Sequence, residues 1–388
     1  MQLPFSSTTA EAIRPKAVYF FYFAALSAFA PFISLWYDTL GLSRSAIGLL
    51  TGLVPLVSIV SAPLWGAFAD ARQRHRAALL LAATGAMVAA LLLSLPRTVA
   101  TLLPVVLLYA FCAAPLAPLL DNAVLTWLGA RRALYGNIRV WGSVGWMVVT
   151  LFIGRLIAND LRPIFFLFAL LMAAALVVAW RMPFASRPAS RSWLNSMRLL
   201  LANRRFLFFI LIVLVQGMAL SVFLTYLFLH MEALGGQRTL MAYSLTTATL
   251  SEIPLWFMTA WLLRRWGADR MLALSLLLMA VRGVIYMLMP AAWWVVPVNL
   301  LHGPIFAMMY SAGVTLADES APEGLGATAQ GLFNASVFGL GAALGAFLGG
   351  PVADAWGLPV LFGLTGAVVL AALLLFVWVR REALLRPL

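Results

Sequence analysis

Long apolar stretches recur along this chain, each near the length of a membrane-crossing helix and each closed by a short polar turn. A bilayer core about 30 Å thick takes roughly 20 apolar residues in a helix. Twelve runs meet that requirement, near residues 17–38, 46–69, 77–96, 100–128, 134–156, 163–182, 206–231, 239–263, 271–289, 293–316, 328–349 and 358–379. The period-two alternation of a membrane barrel is absent. The first run exceeds the apolar segment of a signal peptide and no small-residue cleavage site follows, so it is expected to stay in the mature protein. The pattern predicts an all-α membrane protein of twelve transmembrane helices.

The longest polar interruption, PFASRPASRSWLNSMRLLLANR, lies at residues 183–204. It divides the chain into an N-terminal bundle of six spans over 1–182 and a C-terminal bundle of six over 205–388. Within the linker, Trp193 to Ala202 is expected to form a short amphipathic helix in the membrane interface. The halves echo each other weakly. GAFADARQRHR at 66–76 separates spans 2 and 3, and LLRRWGADR at 262–270 separates spans 8 and 9. Two pseudo-symmetric six-helix bundles are the architecture of many secondary transporters.

Composition sharpens this picture. Of 388 residues 64% are apolar and 10% charged, against about 45–50% and 25% in soluble domains. That excludes a soluble enzyme, a nucleic-acid-binding protein and a secreted disulfide scaffold. The single cysteine, Cys112, allows no intrachain disulfide, and no Cys/His cluster offers a metal site. The net charge of +13 is explained by topology. With both termini cytoplasmic, 19 of the 26 basic residues fall inside, among them Arg72, Arg74, Arg76, Arg131, Arg132, Arg264, Arg265, Arg270, Arg380 and Arg381. Five fall outside (Arg44, Arg97, Arg155, Arg162 and Arg238), as the positive-inside rule requires of a multi-pass protein of the plasma (inner) membrane.

Four charges remain deep within spans, away from their ends: Asp121, Arg139, Glu252 and Arg282. A charge at the bilayer centre costs about 2.5–3.5 kcal/mol even on lenient scales, so each marks a candidate site. Asp121 and Arg139 each lie 9 residues from the turn at Ala130, and Glu252 and Arg282 each lie 15 from Gly267. Antiparallel neighbours therefore carry a carboxylate and a guanidinium at matching depth, and two intramembrane ion pairs are expected where the helices face each other. The alternative is that such pairs only fix helix register, although desolvation leaves them little net stability.

His302 in span 10 has Asn299 one turn before it on the same face. Trp146 lies seven residues beyond Arg139, too deep for an interfacial belt, and offers a flat ring to a sugar or an aromatic ligand. Gly341, Gly345 and Gly349 recur at four-residue spacing, which favours close helix packing over a sliding gate. Pro115 and Pro118 are expected to kink span 4 just before Asp121.

The segment Gly66-Ala-Phe-Ala-Asp70-Ala-Arg72-Gln-Arg74-His-Arg76 resembles the Gly-x-x-x-Asp-x-x-x-Arg-x-Arg turn of the major facilitator superfamily. Within it, PFISLW at 31–36, YGNIRVWGSVGW at 135–146, SEIPL at 251–255, MAVRG at 279–283 and Leu301-His302 are similar to two groups. These are the lactose-permease-like oligosaccharide:proton symporters and the phenylpropionate-permease-like branch. The resemblance implies that Asp121 and Arg139 bind solute, that Trp146 stacks on it, and that Glu252, Arg282 and His302 join binding to proton transfer. Gly66, Asp70 and Arg74 would form the conformational turn motif, and a monomer would be the working unit. Departures from the lactose-permease pattern are Ile305 where the proton-carrying glutamate would stand and Leu255 in place of a sugar-contacting asparagine. Span 7 lacks aspartates, and no lysine stands near Phe338.

The expected function is proton-coupled symport of a small organic solute, a sugar or an aromatic acid, by alternating access. Asp121, Arg139, Trp146 and Asn299 would bind solute. Glu252, Arg282 and His302 would couple it to the proton gradient, with no cofactor beyond that gradient. The alternatives are a uniporter or drug–proton antiporter on the same fold and, from another class, a non-transporting receptor. A receptor would carry large soluble loops or a signalling tail.

Overall fold

The structure is a computed structural model describing residues 13–95, 98–131, 134–184, 193–322 and 325–385. Arg97, Arg132, residues 185–192 of the linker and the side chain of Arg381 lie outside the described residues. All regular structure among the described residues is helical. The first elements are α1 (Ile13–Phe29), α2 (Ile33–Thr39), α3 (Arg44–Arg72), α4 (His75–Leu92), α5 (Val99–Ala113), α6 (Leu116–Leu128), α7 (Tyr135–Leu156) and α8 (Pro163–Ala179). Then follow α9 (Trp193–Ala202), α10 (Arg204–Ala233), α11 (Arg238–Trp266) and α12 (Ala268–Leu288). Last come α13 (Val295–Val298), α14 (His302–Glu319), α15 (Gly326–Asn334), a π-helix over Ala335–Gly341, and α16 (Ala342–Leu385). The short linker helix expected at Trp193–Ala202 is α9.

In lipid a backbone must satisfy its own polar groups, so apolar runs of this length become helices. Among the described residues, nine helical stretches are long and apolar enough to cross a membrane. α8 is apolar but shorter, and α11 is long but carries Arg238, Glu252, Arg264 and Arg265. The 55-residue stretch Gly326–Arg380 is interrupted at Gly357, whose φ of 83° is not helical. This is consistent with the expected twelve spans.

The chain forms two compact units, residues 1–33 with 60–189 and residues 34–59 with 190–388. In the first unit, α1 lies against α7 and α8. A Cβ on Gly145 of α7 would collide with the Phe20 carbonyl of α1, and Phe29 packs on Phe165 and Phe168 with ring centroids 5.7 and 5.1 Å apart. Small residues permit this approach, since lipid tails supply no hydrophobic force between helices.

The second unit takes in residues 34–59, a segment the sequence pattern assigns to the first half. Its packing explains this. Gly48 abuts the Ala346 carbonyl, and Gly350 abuts the Arg44 carbonyl. Asp354 accepts the backbone N–H groups of Arg44 and Ser45, each at 2.8 Å, at the start of α3. A carboxylate is favourable there because it satisfies orphan donors at the positive end of a helix. The glycine stripe packs closely: Gly341, Gly345 and Gly349 meet Leu214, Met218 and Tyr226 of α10.

Four spans are broken: span 1 between α1 and α2, and spans 4, 10 and 11, whose breaks position the site. Span 4 divides at Ala114–Pro115, because Pro115 lacks the N–H that would continue α5. Span 10 passes through a 3-10 turn at Asn299–Leu301 before α14 begins at His302. The π-helix interrupts span 11. Mid-helix turns of these two kinds recur at hinges and functional sites.

Candidate functional site

Each unit holds a polar cluster in its helices. In the first unit, Asp121 lies on α6, and Tyr135 and Arg139 lie on α7. Tyr19 of α1, only 1% exposed, donates to Asp121 Oδ1 at 2.5 Å, and Tyr135 donates to the same oxygen at 3.1 Å. Arg139 instead lies over the rings of Phe23 and Tyr19, its guanidinium 3.9 and 5.3 Å from their centroids. The expected Asp121–Arg139 ion pair is not among the described ion pairs. Matching depth sets height along a helix but not the direction a side chain faces, and the tyrosine hydroxyls take the carboxylate. Trp146 follows on α7, half-buried like Asp121 and Arg139.

Tyr19→Phe removes one of the two hydroxyls that hold this carboxylate. A hydrogen bond to a charged group contributes about 1.5–3 kcal/mol. The variant is expected to unfold at lower temperature and to bind solute more weakly. Thermal unfolding in detergent, with unchanged melting, would show the bond to be unimportant.

In the second unit Arg282 of α12 is buried and bonded on three sides. Its Nε donates to Tyr286 at 2.9 Å, Nη2 to Asn299 Oδ1 at 2.6 Å, and Nη1 meets His302 Nδ1 at 3.3 Å. Because a guanidinium only donates, Nδ1 must accept, which places the ring proton of His302 on Nε2. Asn299 also accepts from Tyr286 at 2.7 Å and donates to the Ser244 carbonyl at 2.9 Å, so both ends of its amide are engaged. It holds Arg282 in place. Arg282 therefore bonds to neutral groups, not to the carboxylate expected opposite it.

Glu252 of α11 accepts from the indole of Trp256 at 2.7 Å, one turn along the same helix. The start of α14, just after the 3-10 turn, is held against α11 by Ser251, whose hydroxyl accepts the Gly303 N–H at 3.0 Å. Beyond His302 the rings of Phe306 and Tyr310 continue along α14, with Trp256 and Phe338 beside them.

At the turn between α3 and α4, Asp70 pairs with His75 at 2.8 Å, and Gln73 takes a φ of 53°. Arg74 is exposed, and a Cβ on Gly66 would meet nothing within 4 Å. The charged members of both clusters were visible in the sequence. Tyr19, Tyr135, Tyr286 and Trp256 were not singled out, although Tyr286 and Trp256 each stand four residues beyond an intramembrane charge, a spacing that puts them on one face.

Known proteins match the chain over most of its length. Residues 12–364 match the MFS_1 like family. The chain belongs to that family. It is 28% identical over 341 residues to the maltose permease of Geobacillus stearothermophilus, covering 87% of this chain and 86% of that one. It is also 28% identical over 303 residues to the probable 3-phenylpropionic acid transporter of Escherichia coli strain K12, covering 76% and 79%. The solved nucleoside transporter NupG superposes with a TM-score of 0.84 at 17% identity, over 94% of this chain and 98% of that one, which shows a shared fold. The chain is a multi-pass membrane transporter of the major facilitator kind, not an enzyme.

Proposed function

We propose that this transporter imports a small organic solute, a sugar or an aromatic acid, together with protons moving down their gradient. The observation that carries this reading is Glu252, an intramembrane carboxylate in the same unit as the Arg282–His302 network. An acid there costs too much to keep unless it has work to do. Asp121, Arg139 and Trp146 bind the solute, and Asn299 is assigned to positioning Arg282 in place of a direct solute contact. Glu252 carries the proton, with Arg282 and His302 as its electrostatic partners. Gly66, Asp70 and Arg74 serve the conformational change. The names of the two bacterial relatives, one a sugar permease and one an aromatic-acid transporter, support the solute classes. The protein works as a monomer in the bacterial plasma membrane with both termini cytoplasmic, its halves 1–182 and 205–388 joined by 183–204 and alternating access by rocking.

Reconstitution in liposomes with an inward proton gradient tests this. Addition of a transported solute is expected to alkalinise the outside as protons enter with it. A uniporter is the second reading, favoured by Ile305, which is fully buried and apolar where lactose-permease-like symporters place their glutamate. Counterflow that is indifferent to pH would select the uniporter and overturn coupling.

A further inference from the structure

The polar residues of the second unit border a group of aromatic rings that proton coupling leaves unused. His302, Phe306 and Tyr310 stand at four-residue intervals along α14. Their centroids are separated by 5.7 and 6.3 Å, and their planes are inclined by only 9° and 25°. Trp256 meets Phe306 and Tyr310 edge-on from α11, at 81° and 73°. Phe338, carried on the π-helix, flanks the same two rings at 6.2 and 6.3 Å. Trp256 and Phe338 are 37% and 38% exposed, so the group presents open ring surface.

That surface is not a lipid-facing one. Trp256 donates its indole N–H to Glu252 one turn away, and an ionisable side chain within the membrane faces a protein interior or a watered cavity. The next residue of the same helix, Phe257, lies outside the ring group and is 81% exposed. The π-helix brings Phe338 into the group, and such insertions recur at ligand sites.

The chemistry of the surface selects its ligand. A sugar needs a polar partner for each hydroxyl it buries, since an unpaired one is costly. Here the indole N–H is already given to Glu252, and among the four flanking rings only the Tyr310 hydroxyl remains to hydrogen-bond. A planar ring needs no such partners and gains from edge-to-face and offset contacts. We propose that Trp256, Phe306, Tyr310 and Phe338 bind the aromatic ring of the transported solute. This rests on the solute-transport reading and selects the aromatic class within it. Because Trp256 is oriented by Glu252, ring binding is tied to the carboxylate that carries the proton.

Equilibrium dialysis of the purified full-length protein in detergent, without any gradient, tests this with 3-phenylpropanoate, its cyclohexyl analogue and maltose. The wild type is expected to bind 3-phenylpropanoate saturably and at least tenfold more tightly than the cyclohexyl compound. Phe338→Leu, on a partly exposed ring, and Phe306→Leu are each expected to weaken it at least fivefold. Phe257→Leu, outside the ring group, is expected to change nothing. Unaltered affinity in both ring variants, no saturable binding of 3-phenylpropanoate, or binding of maltose alone overturns the proposal. The two readings fail separately. Aromatic binding without proton movement in liposomes would sink the coupling but not the ring site. Proton-coupled uptake of a non-aromatic solute, unaffected by Phe338→Leu, would sink the ring site but not the coupling.

Discussion

Glu252→Gln is expected to abolish uphill accumulation while leaving downhill exchange in place. The substitution keeps a carbonyl oxygen for the Trp256 indole, so the ring and the helix stay where they are. What it removes is the group that can gain and lose a proton. Coupling is a free energy shared between two sites, so with one site silenced the solute only equilibrates and its accumulation ratio falls to about one. Proteoliposomes assayed in parallel for gradient-driven uptake and for counterflow distinguish the two activities. Retained accumulation in Glu252→Gln would remove the carboxylate from the proton route. A parallel loss of counterflow would show that it binds solute instead.

Asn299→Leu is expected to produce the largest loss of stability in the molecule. The amide accepts from Arg282 and Tyr286 through one oxygen and donates to Ser244, all in a buried setting. An apolar side chain leaves a guanidinium N–H, a phenol and a carbonyl without those partners. A lost bond to a charged group plus two orphaned neutral groups amounts to about 3–5 kcal/mol, allowing for relaxation. Thermal unfolding in detergent measures this against the wild type. The double variant Arg282→Met/Asn299→Leu is expected to recover part of the loss, because removing the cation also removes its need for a partner. Strict additivity of the two single losses would show that the residues do not act as a unit.

These predictions rest on residues of unequal visibility. Glu252 and Arg282 stand out in the sequence because charge is scarce there: 39 formal charges in 388 residues, nearly all in turns or tails. Their partners do not stand out. Tyr286 and Trp256 are ordinary residues for an apolar helix, and Tyr19 lies 102 positions from the carboxylate it bonds. Depth arithmetic correctly puts Asp121 and Arg139 on neighbouring helices but says nothing of their facing. In the fold the carboxylate meets two phenols and the guanidinium lies over two rings.

The assignment of residues 34–59 follows the same logic. The apolar run of span 2 marks a helix, but chain order does not say which neighbours that helix will pack against. Close contacts at Gly48 and Gly350, and the Asp354 carboxylate at the start of α3, place its first half with the second unit.

What the sequence determines by itself is therefore one-dimensional. Apolar length, positive turns and rare intramembrane charges fix that this is a polytopic membrane protein and name its charged candidate residues, because bilayer thickness and the cost of buried charge act on each segment alone. The tertiary structure decides what depends on facing: that Asn299 is the hub of the Arg282 network, that tyrosines hold Asp121, and that rings from three separate helices meet beside Glu252. Hydrogen bonds and ring contacts are short-ranged and directional, so they are set only when the helices have packed.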